Sequence, residues 1–139
     1  MKRIRLEIIK GAESARDADG WEHYRYEVKL RFDGRSLTCK TWKQGGITDD
    51  PEPHAVIGSM LQDTAGYENS SGYHDWCDEY GYDSDSISNR ETYEQVKDQA
   101  ERLERFLGRS LMVALMEDED ATYGSAERFD AAMRRAQNV

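Results

Sequence analysis

Basic residues almost vanish from the middle of this chain. Between residues 46 and 94 there is one, Arg90, against 12 Asp and Glu. Cysteine is nearly absent too: Cys39 and Cys77 stand alone, far apart and without metal-ligand spacing. That excludes a disulfide-stapled secreted scaffold and predicts a reduced, cytoplasmic protein in which both thiols act as small apolar side chains. No run approaches the roughly 18 apolar residues of a membrane span. The first seven residues alternate charged with apolar, so no signal-peptide core is expected. Gly-x-Ser-x-Gly, Gly-rich phosphate loops, internal repeats and low-complexity tracts are also missing.

What is present is charge, unevenly placed. Residues 1–45 carry 11 Lys and Arg against 7 acids, and residues 95–139 carry 7 against 9. The net −9 of the chain is therefore the work of the middle, which also holds Tyr67, Tyr73, Trp76, Tyr80, Tyr82 and Tyr93. A dense acidic field with aromatics in it suits a basic protein partner and repels nucleic acid and anionic membrane. The competing reading is a domain whose charge only keeps it dispersed. With 37% hydrophobic and 34% charged residues over 139 positions, a single domain with a modest core is expected.

Periodicity supplies the architecture. In residues 3–9, Ile4, Leu6 and Ile8 alternate with Arg3, Arg5 and Glu7, the mark of a half-buried strand. Residues 10–20 read as a loop. In residues 21–32, Tyr24, Tyr26, Val28, Leu30 and Phe32 form one face, and Asp33-Gly34 follows as a hairpin turn. A two-residue turn there sets Leu30 opposite Leu37, Val28 opposite Cys39 and Tyr26 opposite Thr41. It sets Glu27 opposite Lys40 and Arg25 opposite Trp42 on the outer face, an ion pair and a cation–π pair. After the Gly45-Gly46 linker, Asp49 or Asp50 caps a helix that accepts Pro51 and Pro53 in its first turn and gathers Ala55, Val56, Met60, Leu61 and Ala65 on one face. Ser70 or Ser71 caps a short helix that Gly81 stops. Ser88 and Glu91 form a capping box for a helix to Leu107, with Tyr93, Val96, Ala100, Leu103 and Leu107 in one stripe. Residues 110–116 form a short helix, 117–120 an acidic break, and 125–136 a last, weakly amphipathic helix, mobile or free to dock on a partner. The expected fold is α+β: a three-stranded antiparallel β-meander over residues 1–45, packed against three to five helices, with an acidic helical region at 46–108 and C-terminal helices at 109–139.

The chemistry-bearing patterns are weak. Asp83, Asp85, Asn89 and Glu94 align with positions 1, 3, 7 and 12 of a calcium loop, yet Ile87 and Ser88 stand where an oxygen ligand and the turn glycine are needed. His74, Cys77 and Asp78 share a helical face as zinc ligands do, but Cys77 also falls on the apolar stripe with Tyr73, Trp76 and Tyr80. No metal or other cofactor is expected, and no nucleophile–base pair stands out. Arg25, Lys29, Lys40 and Trp42 on the outer sheet face make an alternative nucleic-acid surface, with phosphate contacts and one stacking ring.

Asp75-Trp76-Cys77-Asp78-Glu79-Tyr80-Gly81-Tyr82-Asp83-Ser84-Asp85-Ser86, with Tyr93 and the helix to Leu107-Gly108, resembles a family of small acidic proteins encoded by phages and prophages. The likeness covers about residues 50–108 and includes Tyr67-Glu68-Asn69. That family has no assigned activity, so the resemblance implies a setting and no catalytic residues. In that setting the expectation is a non-enzymatic protein of the host-cell cytoplasm that inhibits a defence or nucleic-acid-handling complex, of the anti-CRISPR or anti-restriction kind. Asp49, Asp50, Glu52, Asp78, Glu79, Asp83 and Asp85 would stand in for phosphates, with Tyr80 and Tyr82 as anchors. A module that dimerises through its terminal helices is a third reading.

Overall fold

The protein is described by a computed structural model over residues 1–16, 19–42 and 47–138. Lys43 and the Gly45-Gly46 linker lie outside the described residues. Three strands, β1 (Arg5–Arg16), β2 (Glu22–Phe32) and β3 (Arg35–Lys40), pair antiparallel in the order β1-β2-β3. Asp33 and Gly34 both take positive φ, 51° and 76°, as a two-residue type I′ turn requires. Leu30 faces Leu37, Val28 faces Cys39 and Glu27 faces Lys40, the register the alternation predicts.

Two parts of the sheet differ from expectation. Residues 10–16 are strand, not loop. The register of β1 on β2 shifts between Ile8 and Lys10 and again between Lys10 and Glu13. Each shift inserts one extra residue, so the period of two is broken twice and the strand stops looking like one. The other difference is Trp42. The sheet ends at Lys40. The Thr41 hydroxyl accepts the Tyr26 N–H at 2.9 Å, and the Thr41 N–H donates to the Tyr26 carbonyl at 2.8 Å. Beyond that point alternation no longer applies, and Trp42 is 4% exposed rather than outward. Arg25 instead donates to the Thr41 carbonyl at 2.8 Å and to Gln95.

Six helices follow among the described residues, against the three to five expected: α1 (Pro53–Asn69), α2 (Tyr73–Tyr80), α3 (Ile87–Leu107), α4 (Arg109–Met116), α5 (Glu119–Thr122) and α6 (Ala126–Ala136). α1 buries eight residues around most of its circumference, including Val56, Ile57, Met60 and Leu61, because other helices and the sheet surround it. The apolar face of β2 packs on this layer, and Phe32 meets Phe106 of α3 edge-on at 6.4 Å.

The helix starts also differ. Glu52, not Asp49 or Asp50, precedes α1, with Pro53 in its first turn and no side-chain cap. Gly72 rather than a serine precedes α2, while Gly81 closes it in the left-handed conformation, as predicted. α3 begins two residues early, after Ser86. Ser88 therefore lies inside the helix and the capping box does not form. The acidic break is α5, entered through Asp118, whose carboxylate accepts the Asp120 N–H at 3.0 Å. α6 packs into the fold. Phe129, Ala132 and Met133 enter the main core. Arg135 forks onto Asp118 and Asp120 at 2.8–3.1 Å, and Gln137 bonds both ways with the Lys2 backbone.

Candidate functional site

An eight-residue helix is too short to stand alone in water, so α2 must be held by packing. Trp76 and Cys77 turn inward and are fully buried. Trp76 stacks on Tyr82 at 5.1 Å with 11° between planes, and meets Tyr80 at 5.1 Å, Tyr93 at 5.4 Å and Trp42 at 5.6 Å. Trp42, the residue expected outside, thus closes this second core. The Tyr73 hydroxyl donates to the Ser84 carbonyl at 2.9 Å and ties the loop after α2 back to its start. The Arg90 guanidinium lies 4.6 Å over the Tyr73 ring and 3.6 Å from Glu94.

Asp75, Asp78 and Glu79 lie at i, i+3 and i+4 on the outward face of α2, and Asp83 and Asp85 follow in the loop. All five are exposed. None pairs with a Lys or Arg among the described residues. Acids elsewhere are neutralised: Glu68 by Arg109, Asp118 by Arg135, and Asp120 by Arg128 and Arg135. Arg90, a basic residue at the base of this segment, is already engaged with the Tyr73 ring and Glu94. Beside this face, Gly66, Asn69, Ser70, Asp75, Glu79 and Tyr80 line a concavity of about 360 Å³. Tyr80 is 37% exposed, and burial beside Asp63 and Glu79 raises its pKa. Tyr82 stacks face to face on Trp76, while Tyr80 meets Trp42 in a T-shaped contact and Trp76 at a tilt, so as anchors both rings are already partly engaged.

The other predicted acids sit elsewhere. Asp49 and Asp50 precede α1 and act on the phenols of β2, both raising Tyr26 and Asp49 also raising Tyr24, after burial as the larger cause. Glu52 lies 3.3 Å from the His54 imidazole. No described contact joins this group to the α2 face. Of the alternative set, Trp42 is buried, Arg25 is spent on Thr41 and Gln95, and Lys40 approaches Glu13 at 3.9 Å. The stacking ring that reading needs is not on the sheet surface.

The metal-like patterns dissolve into local structure. His74 is exposed and packs edge-on to Tyr73, while Cys77 points into the core. The Asp83 carboxylate accepts the Asp85 N–H at 3.0 Å, and Asn89 donates to the Asp83 carbonyl at 2.8 Å, which shapes the entry to α3. No cluster of three His, Cys, Asp or Glu able to hold an ion occurs among the described residues. Burial pushes the Cys39 thiol up to about 11, which keeps it protonated and unreactive at neutral pH.

Sequence reasoning passed over Asp63 and Gln99. Asp63 is 5% exposed on α1 beneath the aromatic rings, and burial pushes its carboxyl up to about 7. The neighbouring Gln99 amide acts in the opposite sense. It does so without a hydrogen bond of normal length, since neither of its polar atoms finds a partner among the described residues. The signal was there for Gln99: it stands at i+3 from Val96 on the buried stripe of α3.

No family model, no curated protein and no solved structure matches this chain. No helix is long and apolar enough to cross a membrane.

Proposed function

We propose that this protein is a non-enzymatic inhibitor of a defence or nucleic-acid-handling complex, of the anti-CRISPR or anti-restriction kind, and that it acts through the acidic face of α2 and its following loop. One observation carries the reading: five exposed carboxylates stand on a scaffold clamped by aromatic rings, with no cation among the described residues to answer them. Fixed, uncompensated charge has its largest effect on a partner of opposite charge, by steering encounter and by replacing the phosphates that such a partner otherwise binds. The resemblance of residues 75–86 to small acidic phage proteins supplies a setting in which such an inhibitor would act. The proposed contacts are Asp75, Asp78, Glu79, Asp83 and Asp85, with Tyr80.

The test is capture of the basic partner from a bacterial lysate by the tagged protein, followed by affinity measurements at several salt concentrations. The expected partner is a nucleic-acid-handling complex whose affinity falls steeply with salt. The variant D78N/E79Q/D83N/D85N should bind it at least tenfold more weakly. Affinity that ignores both salt and these four substitutions would end the phosphate-mimic reading.

A further inference from the structure

The opposite charge has its own site. At the turn end of the sheet, Arg3, Arg5, Lys29, Arg31, Arg35 and Ser36 line a concavity of about 410 Å³, with Asp33 its single carboxylate. A second concavity of about 410 Å³ shares Arg35 and Ser36, runs along edge strand β3 and is closed by Arg102 and Arg105 of α3. Together they gather seven cations against one acid in a chain of net charge −9. Six of the seven are arginines, whose planar forks match phosphate oxygens in a way a lysine ammonium does not.

Local structure accounts for only part of the gathering: Arg3 lies 3.8 Å from Asp130, and Arg102 lies 3.4 Å from Asp98 and donates to the Thr38 carbonyl at 2.9 Å. Arg5 stands directly opposite Arg31, with neutral Ser36 on the other side, so one row across the sheet holds two like charges and no acid. Such a cross-strand pair disfavours the sheet. Among the described residues, Arg5, Lys29 and Arg105 have no carboxylate partner. Glu7 reaches Arg31 only at 3.4 Å and Asp33 reaches Arg35 at 4.0 Å, both between exposed side chains, which is weak compensation.

The acidic face does not cancel this field. α2 meets α3 around Arg90 and Tyr93. Arg102 and Arg105 lie nine and twelve residues further along the same helix, about 14–18 Å at 1.5 Å per residue. That exceeds the Debye length of about 8 Å at physiological salt.

We propose that this arginine-lined double concavity binds the phosphate backbone of duplex nucleic acid, independently of sequence. Duplex rather than single strand follows from what lines it. Phe32 and Phe106 are buried in the wall and no ring is exposed for an unstacked base, so phosphate contact alone is available. The site shares no residue with the α2 face, and the two proposals stand or fall separately. A protein with both can hold a nucleoprotein complex by its protein and its nucleic acid at once.

Fluorescence anisotropy with a labelled 20-base-pair duplex tests it. Binding is expected at about 50 mM salt and should weaken roughly 100-fold by about 200 mM, as displacement of counterions from about four phosphates requires. R5Q/R35Q/R105Q removes exposed side chains only and should weaken binding and flatten the salt slope by about one per lost contact. D78N/E79Q/D83N/D85N should leave that slope unchanged. No binding at about 50 mM salt would overturn the proposal. So would an unchanged slope in the arginine variant, or equal affinity for a single strand. Self-association through the two charged faces, seen by sedimentation without duplex binding, would assign the concavities to a second copy instead and overturn it as well.

Discussion

The side chains beneath the sheet and those beneath α2 are equally buried, yet they are built from different materials. The first core is mostly aliphatic: Val28, Leu30, Val56, Ile57, Leu61, Leu103, Leu115 and their neighbours. The second is a set of rings around Trp76. Polar atoms separate them further. Among the described residues, the Nε1 groups of Trp42 and Trp76 and both amide atoms of Gln99 are buried without a hydrogen-bond partner; the tryptophans belong to the second core, and Gln99 and the carboxyl of Asp63 lie beside it. Each such group costs about 1–3 kcal/mol when desolvated. The aliphatic core therefore carries the stability of the fold. The aromatic core holds α2 in place at smaller net gain, so α2 and its acidic face belong to the less stable part of the molecule.

Trp76→Ala tests that division most severely. It removes the ring that touches Trp42, Tyr80, Tyr82 and Tyr93, and a loss of about 3–5 kcal/mol is expected. Hydrogen exchange should show protection vanishing in α2 while β2 and α1 keep theirs. Uniform loss across both cores would mean they unfold as one unit, and the comparison would fail.

Asp63 is the next largest expected effect, and it depends on pH. Its carboxyl is raised in the folded protein from 3.8 to about 7, so the folded state holds the proton to higher pH than the unfolded chain does. The stability linked to this group is full below about pH 4 and is lost as pH rises through about 7. The change amounts to up to about 4 kcal/mol. Asp63→Asn removes the titration. At pH 8 the variant should unfold at higher urea than the parent, by about 2–4 kcal/mol, and near pH 4 the two should coincide. Parallel curves across that range would show that Asp63 is solvated rather than enclosed by the rings.

Gly66→Ala is expected to be milder. A Cβ at position 66 of α1 would overlap the hydroxyl of Tyr80, the last residue of α2. The ring must shift within its cluster, at about 1–3 kcal/mol. The signature would be a change in the tryptophan near-UV signal with α1 still protected.

These predictions rest on features the sequence shows unequally. The Asp33-Gly34 hairpin, the register on β3, the stripe of α3 and the stop at Gly81 were legible because each depends on local chemistry with a fixed period or a fixed dihedral. Residues 10–16 were not, because two bulges erase the alternation. Trp42 was misplaced because its direction is set after the strand has ended, by the Thr41 hydroxyl and by a tryptophan 34 positions away. α6 looked weak as a helix in isolation; the carboxylates that fasten it come from α5 and the segment before it. Of the candidate site, the acids of residues 75–85 were visible, while the buried carboxyl beneath them was one acid among 12 until the fold enclosed it.

The smallest expected effect on stability is the most informative about function. D78N/E79Q/D83N/D85N alters four exposed side chains that pair with no cation among the described residues, and Asn at 83 keeps the oxygen that accepts the Asp85 N–H. Folding should be nearly indifferent, with a melting temperature within about 2 °C of the parent. A slight rise is the expected sign, since mutual repulsion along α2 is relieved. A scaffold indifferent to charges that it nonetheless holds in fixed positions is using them outward. A large fall in melting temperature would instead show that the carboxylates hold the α2 loop together, and their exposure would then have a structural explanation in place of a functional one.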